Sequence, residues 1–271
     1  MHSHLIAAGG VVTVAAAIRS TWSPCGWSML STITPVGEQG RGRSYPVTAA
    51  WFIAGAIAGG GALGLAMALL TGIAATVGPL SSAGAIGIGG FAALCGAASD
   101  ARVAGFSLPI HRRQVNEDWL DLYRPWVYGA GFGFQIGCGF ATYITTAAVY
   151  LMVVLAGLTG DPLVAFGFGA GFGTLRGVAV LAGRNLRTPD AMRAFHRRFE
   201  KAGTVSRRAT IGAQVLVGLA AISFALPVPI SAATYAVVCA VALLSWQRYH
   251  SSSSRPPAVP APGTAAPGTA V

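Results

Sequence analysis

Arginine-bearing connections divide the chain into apolar runs, and that division limits the folds open to it. The apolar segments cover roughly 5–36, 47–71, 76–98, 127–157, 162–183, 208–226 and 229–247. Several exceed the ~18 residues needed to cross about 30 Å of hydrocarbon. With 54% apolar and 10% charged residues, a water-soluble domain is excluded. The expected fold class is an all-α polytopic membrane protein of about seven transmembrane helices. The first segment is too long for one straight crossing, since 5–36 as a helix at about 1.5 Å per residue would run some 48 Å. A break near Pro24 is therefore predicted. Pro227 and Pro229 split the last apolar stretch into two helices, because a proline pair interrupts the hydrogen-bond ladder.

The net charge of +10 comes almost wholly from arginine. Basic residues follow the first segment (Arg41, Arg43), the third (Arg102, Arg112, Arg113, Arg124), the fifth (residues 184–208) and the seventh (Arg248, Arg255). The alternate connections near 72–77, 158–161 and 227–228 carry none. The positive-inside rule then places the N-terminus outside and the C-terminus in the cytoplasm of a bacterial plasma (inner) membrane. No basic n-region precedes the first apolar segment, so that segment is expected to be retained. The same distribution argues against a nucleic-acid partner and for anionic lipid at the basic cytoplasmic loops.

Two echoes lie at nearly the same offset within the chain. Cys25-Gly26-Trp27-Ser28-Met29-Leu30-Ser31-Thr32 is matched, 113 residues later, by Cys138-Gly139-Phe140-Ala141-Thr142-Tyr143-Ile144-Thr145. Phe52, Gly55 and Gly59 are matched by Phe166, Gly169 and Gly173. With the orientation above, the halves form an inverted 3+3 repeat plus one C-terminal helix, a design that places its site where the halves meet. The organisation expected is a first repeat over 1–98, a cytoplasmic interfacial loop over 99–126, and a second repeat over 127–226 with a basic loop at 184–208. An extra span over 227–248 and a disordered cytoplasmic tail over 249–271 complete it. Within the interfacial loop, Val115, Trp119, Leu122 and Trp126 predict a short amphipathic helix. A basic helix is predicted over 189–202, starting at Thr188-Pro189-Asp190.

Few residues carry chemistry. Cys25 follows Pro24, where a helix start would set backbone amides beside the sulfur and favour a thiolate. Cys138 lies between two glycines. Either cysteine could equally be a small packing residue. Arg19 and Arg176 are placed within spans, with no acidic partner there; each reads as a thiolate-stabilising or substrate-binding group, or as a snorkelling side chain. Gln135 joins the hydroxyls of both halves around the cysteines, most of which are expected to bond their own helix backbone. No metal-ligand spacing, phosphate loop or Ser/His/Asp set occurs, so neither metal nor cofactor is expected.

Ser23-Pro24-Cys25 in the first span, Cys138 in the fourth and the inverted halves resemble the CcdA/DsbD-like transmembrane thiol-disulfide electron carriers of the wider LysE-like group. The resemblance implies catalytic roles for Cys25 and Cys138. It also implies a relay of reducing equivalents from cytoplasmic thioredoxin to an extracytoplasmic thioredoxin-like protein, of the cytochrome c biogenesis type. Two other readings stand beside it. One is a transporter of a small anion or sulfur species, with Arg19 and Arg176 as the anion site. The other is a non-catalytic membrane scaffold with a basic cytoplasmic face.

Overall fold

The structure, a computed structural model, describes residues 2–78, 81–109, 123–225, 227, 230–231 and 233–241. The described residues form α1 (His2–Ser20), α2 (Pro24–Thr32), α3 (Pro35–Gly40), α4 (Tyr45–Val77) and α5 (Ser82–Ala101) in the first half. The second half holds α6 (Pro125–Cys138), α7 (Ala148–Leu158), α8 (Pro162–Val178, followed by a 3-10 turn) and α9 (Pro189–Ala225). Among the described residues, five stretches are long and apolar enough to cross a membrane: Ser3–Ser20, Tyr45–Thr76, Ser82–Ala101, Pro162–Gly183 and Pro189–Ala225. Residues 1–231 make one compact unit; 232–271 belong to a second, of which residues 233–241 are helical.

Local sequence explains most of the starts. α2, α3, α6, α8 and α9 each begin on a proline, whose fixed φ suits the first helical turn and whose missing N–H is not needed there. Ser23, Thr34 and Asp161 cap three of these helices by accepting the backbone N–H of Gly26, Gly37 and Leu163. The break expected near Pro24 is present, between Ser20 and Pro24.

Three expectations need correction. The apolar run 127–157 is two helices, α6 and α7, separated by residues 139–147. Gly139 takes φ of +70°, which stops α6 without a proline. The basic helix predicted over 189–202 starts at Pro189 as expected but does not end in the connection, because α9 runs unbroken from Pro189 to Ala225 through the following apolar run. As a result Cys25–Thr32 is helical while its echo, Cys138–Thr145, lies largely in the turn after α6. The core of the predicted amphipathic helix (residues 110–122) and the tail 249–271 lie outside the described residues.

α4 runs between α6 and α8, and both contacts are made by backbone. A methyl group at Gly55 or Gly59 would run into the carbonyls of Ala130 or Phe134 on α6. One at Gly133 or Gly137 would strike the carbonyls of Phe52 or Ala56 on α4. On the other side Gly60 and Gly64 meet Gly173, Gly169 and Phe166 of α8. The four-residue glycine spacing therefore has a packing cause: it puts a flat strip along each helix and lets main chains touch. The echoed phenylalanines fare differently. Phe52 is fully buried, edge-on to Phe132 at 5.6 Å, whereas Phe166 is 38% exposed.

Around this trio, α1 packs on α7, α8 and α9, and α5 packs on α9. One apolar cluster joins Val12 and Ala16 of α1 to Met67, Met152, Phe168 and Phe172. A second joins Cys25, Met29 and Ile33 of α2 and its C-cap to Phe52, Tyr128 and Phe132. The basic end of α9 is fastened to α2 and the turn before it by aromatic contacts. Trp22 stacks on Phe199 at 4.5 Å and donates its indole N–H to the Phe199 carbonyl at 2.7 Å.

Candidate functional site

Where the two broken spans end, the structure places one arginine. Arg176, near the end of α8, is 3% exposed and does not reach out to a surface. Its Nη1 donates to the carbonyl of Ile136 at 2.9 Å and to Thr142 Oγ1 at 3.4 Å. Its Nη2 donates to the carbonyl of Ser20 at 3.2 Å and to Ser23 Oγ at 3.5 Å. The guanidinium carbon also lies 5.6 Å from the centre of the Phe172 ring.

The acceptors explain how a buried cation survives without a carboxylate. Ser20 is the last residue of α1, and Ile136 lies in the last turn of α6. Carbonyls at a helix C-terminus lack intrahelical donors and carry the negative end of the helix dipole. One planar guanidinium answers two such ends at once, with its remaining polarity met by Ser23 and Thr142. Snorkelling is thus overturned for Arg176: the group is an internal pin between two half-helices and the span that carries it.

The other residues singled out in the sequence divide around this pin. Pro24 opens α2. Cys25 follows it, fully buried and within electrostatic range of Arg176. Cys138 is the last residue of α6 and half-buried. No disulfide joins the cysteines. Gln135 is half-buried on α6 and takes no part in the hydrogen bonds around Arg176. Ser31 and Thr32 bond the carbonyls of Trp27 and Ser28 four residues back, as expected of hydroxyls on a helix. Arg19 is one residue from the Ser20 carbonyl on the chain, yet it opens onto a separate cavity with Asp100, Arg102 and Arg207.

Sequence reasoning missed two acidic side chains. Glu38 on α3 is fully buried; its Oε2 accepts the Thr48 hydroxyl at 2.6 Å, and Arg41 lies 3.7 Å from Oε1. Asp100, near the end of α5, ties three helices together. Its carboxylate accepts Thr146 Oγ1 at 2.5 Å, the backbone N–H of Ala147 at 2.8 Å and Gln214 Nε2 at 2.7 Å. The Ala147 bond satisfies an orphan amide at the start of α7. Only the Thr/Gln complement within apolar spans hinted at such an acceptor. Asp100→Ala is expected to lower stability by about 1–2 kcal/mol, through lost charge-assisted hydrogen bonds. A thermal scan in detergent reads this as a lower unfolding midpoint. Asp190→Ala, which removes an exposed pair with Arg193, should leave that midpoint where it is. Equal midpoints for all three proteins would show that Asp100 joins nothing.

Comparison with known proteins gives one consistent relationship. Over 159 residues the chain is 33% identical to the methylamine utilization protein MauF of Paracoccus denitrificans, covering 56% of this chain and 54% of that protein. It is 31% identical over 163 residues to MauF of Paracoccus versutus, covering 59% and 58%. It is 29% identical over 186 residues to MauF of Methylophilus methylotrophus, covering 65% and 58%. The chain spans about half the length of the curated relatives it matches. No family model and no solved structure matches it.

These relatives overturn the resemblance to the CcdA/DsbD carriers, and with it the thiol-disulfide relay and the link to cytochrome c biogenesis. Their name is a methylamine-utilization one. The geometry supplies the reason the motif misled. Ser23 caps α2 and Pro24 occupies its first turn, so Ser-Pro-Cys is accounted for as a helix start. The anion-transporter and scaffold readings gain no support from the relatives either.

Proposed function

We propose that this protein is a multi-span membrane component of methylamine utilization, built around the Arg176 pin. The observation that carries the proposal is the similarity to the MauF proteins of several methylamine-utilizing bacteria. The buried Arg176, with Ser20, Ser23, Ile136 and Thr142, is the site on which that role depends, and Cys25 and Cys138 flank it.

In this reading the chain lies in a bacterial plasma membrane with its N-terminus outside and its C-terminus in the cytoplasm. The halves are inverted copies, each made of a broken span followed by two unbroken ones, with a seventh crossing after them. The pattern of contacts supports this arrangement. α4 meets α8 and α5 meets α9, each pairing equivalent members; α4 packs on α6 as α8 packs on α1. An axis relating the halves would pass close to the α4–α8 glycine contact.

The test is deletion of the gene in its own host. Growth with methylamine as nitrogen source should be lost and growth on ammonium kept. Restoration should follow from the wild-type chain and not from Arg176→Met. Unimpaired growth on methylamine would remove the proposal.

A further inference from the structure

α1 and α9 enclose two neighbouring spaces of opposite character. The first is a cavity of about 240 Å³ onto which Arg19 of α1, Arg207 of α9 and Arg102 all open. The one carboxylate there, Asp100, already accepts hydrogen bonds from Thr146, Ala147 and Gln214. Three guanidinium groups therefore face a cavity that holds one carboxylate, which leaves an excess of positive charge. Arg207 is fixed by donating Nε and Nη2 to the Asp100 carbonyl, at 3.0 and 2.7 Å. The Thr145 hydroxyl, on the same lining, is buried with no hydrogen-bond partner. The cavity has the donors for an oxyanion.

The second space is an apolar groove of about 610 Å³ between the same two helices, lined by Val11, Ile86, Leu155, Leu216 and Phe224 among others. It starts at Ala209, two residues beyond Arg207, and runs to Phe224, about 22 Å at 1.5 Å per residue. That length exceeds one leaflet of a bilayer whose hydrocarbon is about 30 Å thick. Gly212 stands in its wall with nothing within 4 Å of where a side chain would begin. Leu216 and Phe224 are 70% and 67% exposed, which suits contact with acyl chains.

We propose that this pair of spaces is a binding site for one anionic phospholipid. Its phosphate sits among Arg19, Arg102 and Arg207, and an acyl chain lies along the groove between α1 and α9. Charge complementarity fixes the class of headgroup, and the apolar groove that begins two residues beyond Arg207 along α9 distinguishes a lipid from free phosphate.

Native mass spectrometry of the full chain, released from detergent after exchange with phosphatidylglycerol, phosphatidylcholine or inorganic phosphate, tests it. One phosphatidylglycerol should be retained, at least tenfold more tightly than phosphatidylcholine, and inorganic phosphate alone should not be retained. Arg19→Gln should weaken retention about fivefold, the effect of one basic residue on an anionic lipid. Gly212→Leu should abolish retention without lowering the thermal unfolding midpoint, since nothing lies within 4 Å of the added Cβ. Equal retention of both lipids, retention of inorganic phosphate in place of lipid, or full retention by Gly212→Leu would each overturn the proposal.

Discussion

Arg176→Met is expected to destabilise the protein by about 3 kcal/mol, a loss characteristic of deleting a buried charged donor whose acceptors stay behind. Methionine fills similar space but gives nothing to the carbonyls of Ser20 and Ile136 or to the hydroxyls of Ser23 and Thr142. Arg176→Lys separates charge from geometry. An ammonium keeps the charge but not the planar fork that reaches both helix ends, so it should recover only part of the loss. Thermal unfolding in detergent, read beside growth on methylamine, checks both. If methionine matches wild type in stability, the arginine is not a pin. If lysine restores stability fully, the fork is irrelevant.

The second large effect distinguishes two adjacent glycines. At Gly60 an added methyl carbon would lie 2.7 Å from the Gly173 Cα and 2.8 Å from the Gly169 carbonyl oxygen, both main-chain atoms. Backbone cannot rotate out of the way as a side chain can. Gly60→Ala should therefore cost about 2–3 kcal/mol, at the upper end for overpacking. At Gly61 nothing lies within 4 Å. There the same substitution only restricts the unfolded chain, and should stabilise α4 by about 0.5–1 kcal/mol. Unfolding midpoints that move in opposite directions support the backbone contact; a common shift would refute it.

The sequence was most readable where a single residue dictates local geometry. Pro24, Pro162 and Pro189 announce helix starts, and the apolar runs mark the long helices. The glycine echo marks close helix contact as well as internal symmetry. The break after Cys138 was hidden because no proline marks it. It depends on Gly139 in a left-handed conformation and on Arg176 and Asp100 taking up freed backbone groups. Arg176 itself could be singled out but not placed, since its principal partners are carbonyls that every residue possesses. Asp100 was invisible for another reason: its partners lie 46, 47 and 114 residues away. The continuity of α9 was masked by its charges, which set the basic helix over 189–202 apart from the apolar run that follows it.

The glycine strips on both sides of α4 bear on which lengths of chain this fold can tolerate. Gly55 and Gly59 serve one neighbour, and Gly60 and Gly64 the other. One residue inserted or removed between 55 and 64 turns part of the helix by about 100° and presents alanine or leucine where only a bare main chain fits. Homologous chains should vary in length at residues 78–81 and 159–161 but hold a constant count through this stretch. Their α4 would thus act as a fixed ruler against which every other segment is measured.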